Sequence, residues 1–188
     1  FIYDELKAAQ PVTWSYLLHT ITNPMKIQKT SDHIHVQATS EDGISDAYLY
    51  ASGPLKIDIT HDFFVPAINW LRADENGYFK PYPKHWHFTA TSQKEHVYRF
   101  ATILYTHAKH ASEKVLIIIP RRLEDGSIQI GEWNIKANLS CHGSPFFEIN
   151  CTQADKNISV MYNNYGSTKI NDNGVVTELV DEVPELEI

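Results

Sequence analysis

The chain has 188 residues, a net charge of -7 with histidine neutral, and 43% hydrophobic and 12% aromatic residues. That is enough for one domain with a real core, and it excludes bulk disorder. The acidic balance argues against a nucleic-acid partner, because phosphate binding needs Lys and Arg to displace counterions, and no run of about 18 apolar residues offers a membrane span.

The dominant pattern along the chain is alternation with a period of two, which marks half-buried strands. The chain opens on a strand-like stretch, Phe1-Ile2-Tyr3. With no leader before it, the expectation is a segment of a larger protein. From Thr13 to Thr20, Trp14, Tyr16 and Leu18 share one face. From His33 to Thr39, Ile34, Val36 and Ala38 oppose His33, His35 and Gln37. Asp62 to Ala73 reads either as a short helix, through the spacing of Phe64, Ile68 and Leu71, or as a long loop. Asn76 to Lys84, rich in Gly, Pro and aromatics, reads as an exposed loop. From His85 to Ala90, Trp86, Phe88 and Ala90 oppose His85, His87 and Thr89. Val97 to Thr106 is apolar on both faces and predicts a central strand, with His107 and His110 in the loop after it.

Further strands are predicted at Val115 to Ile119, at Glu132 to Asn138 with Trp133, Ile135 and Ala137 inward, at Phe146 to Cys151 and at Ile158 to Tyr162. Turn chemistry separates them at Glu41-Asp42-Gly43, Ser52-Gly53-Pro54, Glu124-Asp125-Gly126 and Asp172-Asn173-Gly174, where Asp-Gly and Asn-Gly supply the positive φ that tight hairpins need. The result is an all-β chain, an antiparallel β-sandwich of roughly twelve strands with at most one short helix. The domain is expected over 1–170. A last strand near Val175 to Leu179 and an acidic tail from Asp181 to Glu187 are expected within 171–188.

Cys141 and Cys151 are the only cysteines, close enough to bridge neighbouring strands of a hairpin or to stay as free thiols. Sequons at Asn138, Asn150 and Asn157 matter only along a glycosylating secretory route.

Two His-x-His pairs, His33/His35 and His85/His87, each fall on one strand face and have metal-ligand character. Zinc would need further ligands such as His61, Asp62 or His110, and the plainer reading is solvent-facing histidine opposite an apolar face. Tyr78, Tyr82, His85 and Trp86 are candidates for stacking on sugar rings, against a plainer reading in which Trp86 and Phe88 are core. No Gly-x-Ser-x-Gly elbow, phosphate loop or His-Glu-x-x-His motif occurs.

The passages Phe1-Ile2-Tyr3-Asp4-Glu5-Leu6 and Pro11-Val12-Thr13-Trp14-Ser15-Tyr16-Leu17-Leu18-His19-Thr20 carry a resemblance. Pro24-Met25 before a strand, the later Trp86-His87-Phe88 and the long strand from Val97 to Tyr105 follow in the same order. Together, over about residues 1–119, they resemble the C-terminal β-sandwich region of heparinase II/III-like polysaccharide lyases. The resemblance implies upstream α/α-toroid and β-sheet domains, and β-elimination on uronic-acid polysaccharides of glycosaminoglycan or alginate type. It also implies a bacterial periplasmic or secreted protein, and zinc in some whole enzymes. The family's catalytic Tyr and His motifs have no matching positions here, so no catalytic residue is carried over, and this segment alone is expected to be inactive. The alternatives are a free-standing carbohydrate-binding sandwich using Tyr78, Tyr82 and Trp86, and a His-ligated jelly-roll enzyme.

Overall fold

The computed structural model describes residues 1–21, 23–62, 68–81, 85–109, 119–153, 156–162 and 167–180. Along the first half run β1 (Ile2–Ile21), β2 (Lys26–Lys29), β3 (Ile34–Thr39), β4 (Gly43–Ala51) and β5 (Lys56–Thr60). A small hairpin, β6 (Ile68–Ala73) with β7 (Phe79–Pro81), precedes the long β8 (His85–Ala108). The second half is β9 (Arg121–Arg122), β10 (Ile128–Ile130), β11 (Trp133–Ala137), β12 (Phe147–Gln153), β13 (Lys156–Tyr162), β14 (Ser167–Asp172) and β15 (Val175–Val180). Every ladder is antiparallel, no helix occurs among the described residues, and two main sheets form a β-sandwich.

The first sheet is ordered β1-β8-β4-β3-β2, with β5 also on β8. It is folded over on itself. The half of β8 from His85 to Thr91 lies between β1 and β5, and the half from Phe100 onward lies against β4, with β1 on its other side as far as Thr102. Tyr16 pairs in register with Ala90, yet its ring centroid is 5.5 Å from that of Phe100. Ten residues of straight strand would hold those rings about 33 Å apart. The bend coincides with the register shift between Lys7 and Val12 and with exposed residues Gln93 to His96. Pro11, which cannot donate to a ladder, sits in that shift. Both halves then bury one core, with Trp14, Tyr16, Leu18, Phe88 and Ala90 from one layer and Ala47, Leu49, Val36, Tyr98 and Phe100 from the other.

The second sheet is a meander in strict chain order from β9 to β15. Its Ile128, Ile130 and Ile135 pack on the back of the first sheet, against Tyr48, Tyr50, Ala101 and Ile103. Arg99 fastens the two sheets. It is 1% exposed, donates to Glu5 Oε1 through Nε at 3.2 Å and Nη2 at 2.7 Å, and reaches the carbonyls of Asn138, Ser140 and Gly143. Burial pushes the Glu5 carboxyl up, but hydrogen bonds and charge from Arg99 and Lys7 outweigh it and hold the group below its ordinary value.

Several expectations change here. The predicted strands around Trp86 and Val97 are one strand, and His107 lies inside it rather than in a loop. The segment read as helix or loop supplies β6, and the loop after Asn76 supplies β7; residues 63–67 and 82–84 lie outside the described residues. Of the strand expected at Val115 to Ile119, only Ile119 is described, and it is not in a strand. Trp133, expected inward, is 39% exposed at the end of β11. Cys141 and Cys151 are free thiols. The ladder explains why. Ala137 pairs with Phe147, so Cys141 falls in the connecting loop, while Cys151 faces Trp133 and Ile158. The Cys141 thiol donates to the Val97 carbonyl at 3.1 Å. At the end of the meander, Asn173 and Gly174 both adopt positive φ, as the Asp-Asn-Gly sequence predicts, and the turn returns the chain as β15. Residues 181–188, with the acidic tail, lie outside the described residues.

Candidate functional site

The alternation of β3 sends Ile34, Val36 and Ala38 into the first core, and so places His33, His35 and Gln37 on the opposite face. On neighbouring β4 the same face carries Ile44, Asp46, Tyr48 and Tyr50, and on β8 it carries Ile103, Tyr105 and His107. The second sheet covers the Tyr48, Tyr50 and Ile103 end. At the other end, a cavity of about 310 Å³ is lined by His33, His35, Gln37, Asp46, Tyr48 and His107, with Gln28, Thr30, Ile44 and Ile119 completing the wall.

Asp46 is the floor of this cavity and is only 4% exposed. Its Oδ1 accepts from His35 Nε2 at 2.7 Å and from Gln37 Nε2 at 3.0 Å, and its Oδ2 lies 3.5 Å from His107 Nε2. A carbonyl oxygen only accepts, so the 3.3 Å contact from His107 Nδ1 to the Ala108 carbonyl is a donation by the ring. The His35 ring stacks on Tyr48 with centroids 4.5 Å apart and planes 7° from parallel. His33 adds its ring against Tyr48 and Tyr50. Burial raises the Tyr48 phenol above its ordinary value, and the Asp46 charge adds to the shift. Burial first, then the charge of His35, lowers the His33 imidazole below 6.5.

His85 and His87 occupy a different surface. They point away from the core on the other layer of the folded sheet, where His19 lies opposite His87 with ring centroids 4.4 Å apart. The two His-x-His pairs therefore do not converge, and no group of three or more His, Cys, Asp or Glu among the described residues could hold a metal ion. Of the sugar-stacking candidates, Tyr78 is 74% exposed in the β6–β7 turn, where its N–H donates to Asp74 Oδ1. Trp86 is partly buried on the core and stacked on His61 at 4.6 Å. His85 is half-buried at the start of β8, and Tyr82 lies outside the described residues. Asp46, Tyr48, Gln37 and His107 were not among the sequence candidates. Asp46 was the readable signal, a lone carboxylate entering the apolar run Ala47 to Ala51.

The histidines make stability fall in acid. His87 is shifted the same way as His33, by burial and then by the neighbouring His19 and His85. The unfolded chain takes up these protons near 6.5, and the folded chain only at lower pH. Between those limits the unfolded state binds more protons, so folding weakens as pH drops. Urea midpoints measured from about pH 8 down to about pH 5.5 are expected to decline, and His33→Gln with His87→Gln to flatten that slope.

No family model matches the chain, and a search of curated proteins finds no match.

Proposed function

We propose that this chain is the C-terminal β-sandwich segment of a heparinase II/III-type lyase that degrades uronic-acid polysaccharides, and that the segment is non-catalytic alone. The observation that carries the reading is a pairing. The two passages on which the resemblance rests, far apart in the chain, are cross-strand partners, with Leu18 opposite Phe88, His19 opposite His87 and Thr20 opposite Trp86. A pattern match scattered through unrelated structure would have no reason to meet in one ladder.

β-Elimination must neutralise the substrate carboxylate and place a base at the adjacent C–H. A segment of net charge -7 repels a polyanion, so the reading gives polysaccharide capture, catalysis and any zinc to upstream toroid and sheet domains. It places the whole protein in the periplasm or outside the cell. Two measurements test it. The purified chain, incubated with heparin, chondroitin sulfate or alginate, is expected to release no ultraviolet-absorbing unsaturated uronide, and clear turnover overturns the non-catalytic assignment. The reading frame ahead of Phe1 is expected to encode a long helical region and a sheet segment bearing His and Asp. A start codon directly before Phe1 overturns the lyase assignment.

A further inference from the structure

We infer that the cavity over β3, β4 and β8 is a binding subsite for one neutral, hydroxyl-rich ring, such as an uncharged sugar unit. The cavity alone carries it, independently of the lyase reading. Its volume of about 310 Å³ falls within the range of small-molecule sites, which is roughly 300–1,000 Å³.

The polar groups select the class of ligand. No Lys or Arg is among the described lining residues, and the one carboxylate is already capped by His35 and Gln37, with His107 beside it. A sulfate or carboxylate would therefore meet no permanent cation among the described residues, and a cationic ligand would compete with the two donors already in place. What remains at the wall is mixed. Capping Asp46 uses Gln37 Nε2 and His35 Nε2, which leaves Gln37 Oε1 and His35 Nδ1. The Tyr48 hydroxyl makes no hydrogen bond among the described residues, and the Gln28 amide lines the same wall. A hydroxyl both donates and accepts, so a polyol matches such a set where a pure donor or pure acceptor does not. Ile44 and Ile119 supply an apolar surface for the C–H face of a sugar ring.

The buried carboxylate supports a function rather than folding alone. Buried ionic groups are often replaceable by apolar residues without loss of stability. Here one stands at the head of the buried run Ala47 to Tyr50 and holds an imidazole and an amide in fixed orientation. Preorganisation of this kind is what a binding wall requires.

The test is a titration of the isotopically labelled chain, followed by NMR, with methyl glucoside, methyl galactoside and methyl mannoside, and with sodium sulfate and sodium glucuronate as anion arms. At least one neutral glycoside is expected to give saturable shifts at His35, Tyr48 and His107. Tyr48→Phe and Gln37→Ala, which leave the Asp46–His35 bond in place, are each expected to weaken it about five- to tenfold. Tyr78→Ala is expected to leave it unchanged. Three results overturn the proposal: no saturable binding of any neutral glycoside, binding that survives Tyr48→Phe and Gln37→Ala together, or tighter binding of the anions at these residues. The lyase assay has a separate readout, so either conclusion can fail without the other.

Discussion

Arg99→Ala lowers the free energy of unfolding by about 3–5 kcal/mol, the cost of breaking a buried ion pair by removing one partner. The change leaves the Glu5 carboxylate, whose side chain is 17% exposed, without its guanidinium, and strips donors from the carbonyls of Asn138, Ser140 and Gly143. Since a domain's whole stability is about 5–15 kcal/mol, this loss is large. Urea unfolding followed by tryptophan fluorescence reads the midpoint. Limited proteolysis adds a local readout, with faster cleavage expected between Asn138 and Pro145, because Arg99 ties that loop to the first sheet. Arg99→Lys keeps the charge but not the planar fork of donors, and is expected to recover only part of the loss.

Phe88→Ala costs a similar amount, about 3–5 kcal/mol, by a different mechanism. Phe88 is 0% exposed, pairs with Leu18 on one side and Ile59 on the other, and fills the core enclosed by the folded sheet. Its removal leaves a cavity that two hydrogen-bonded neighbours prevent from collapsing. Phe88→Leu retains most of the volume and is expected to lose less. A midpoint shift below about 1 kcal/mol for Phe88→Ala would show that the core relaxes around the gap, contrary to close packing.

How far the sequence revealed this structure depended on whether one strand face met solvent. β3 was legible because its histidines alternate with Ile34 and Val36. β4 was not, because Asp46 through Tyr50 are all buried, with Ala47 and Leu49 in one core and Tyr48 and Tyr50 in the other. A strand covered on both faces has no alternation to read. β8 was divided in two because polar Gln93 to His96 looks like a turn, yet it is the exposed outside of a bend in a continuous strand. The site was half legible for the same reason. His33 and His35 announced a shared face, but Asp46 and His107 join them only through the pairing of β4 with β3 and β8. The choice left open between a Cys141–Cys151 bridge and two free thiols turns on register, which spacing alone does not reveal.

The contrast between the two sheets also bears on how the protein is made. Each strand of the meander finds its partner as soon as the next one emerges, so those ladders close over short loops. β1 is synthesised well before β8, and Ile2 must await Thr102. At ordinary translation rates that delay is roughly 5–20 s. Through it, a 20-residue strand bearing Trp14, Tyr16 and Leu18 has no native partner. β1 is thus the most aggregation-exposed strand of these two sheets during synthesis, and holding it apart until β8 has been made is a task for chaperones.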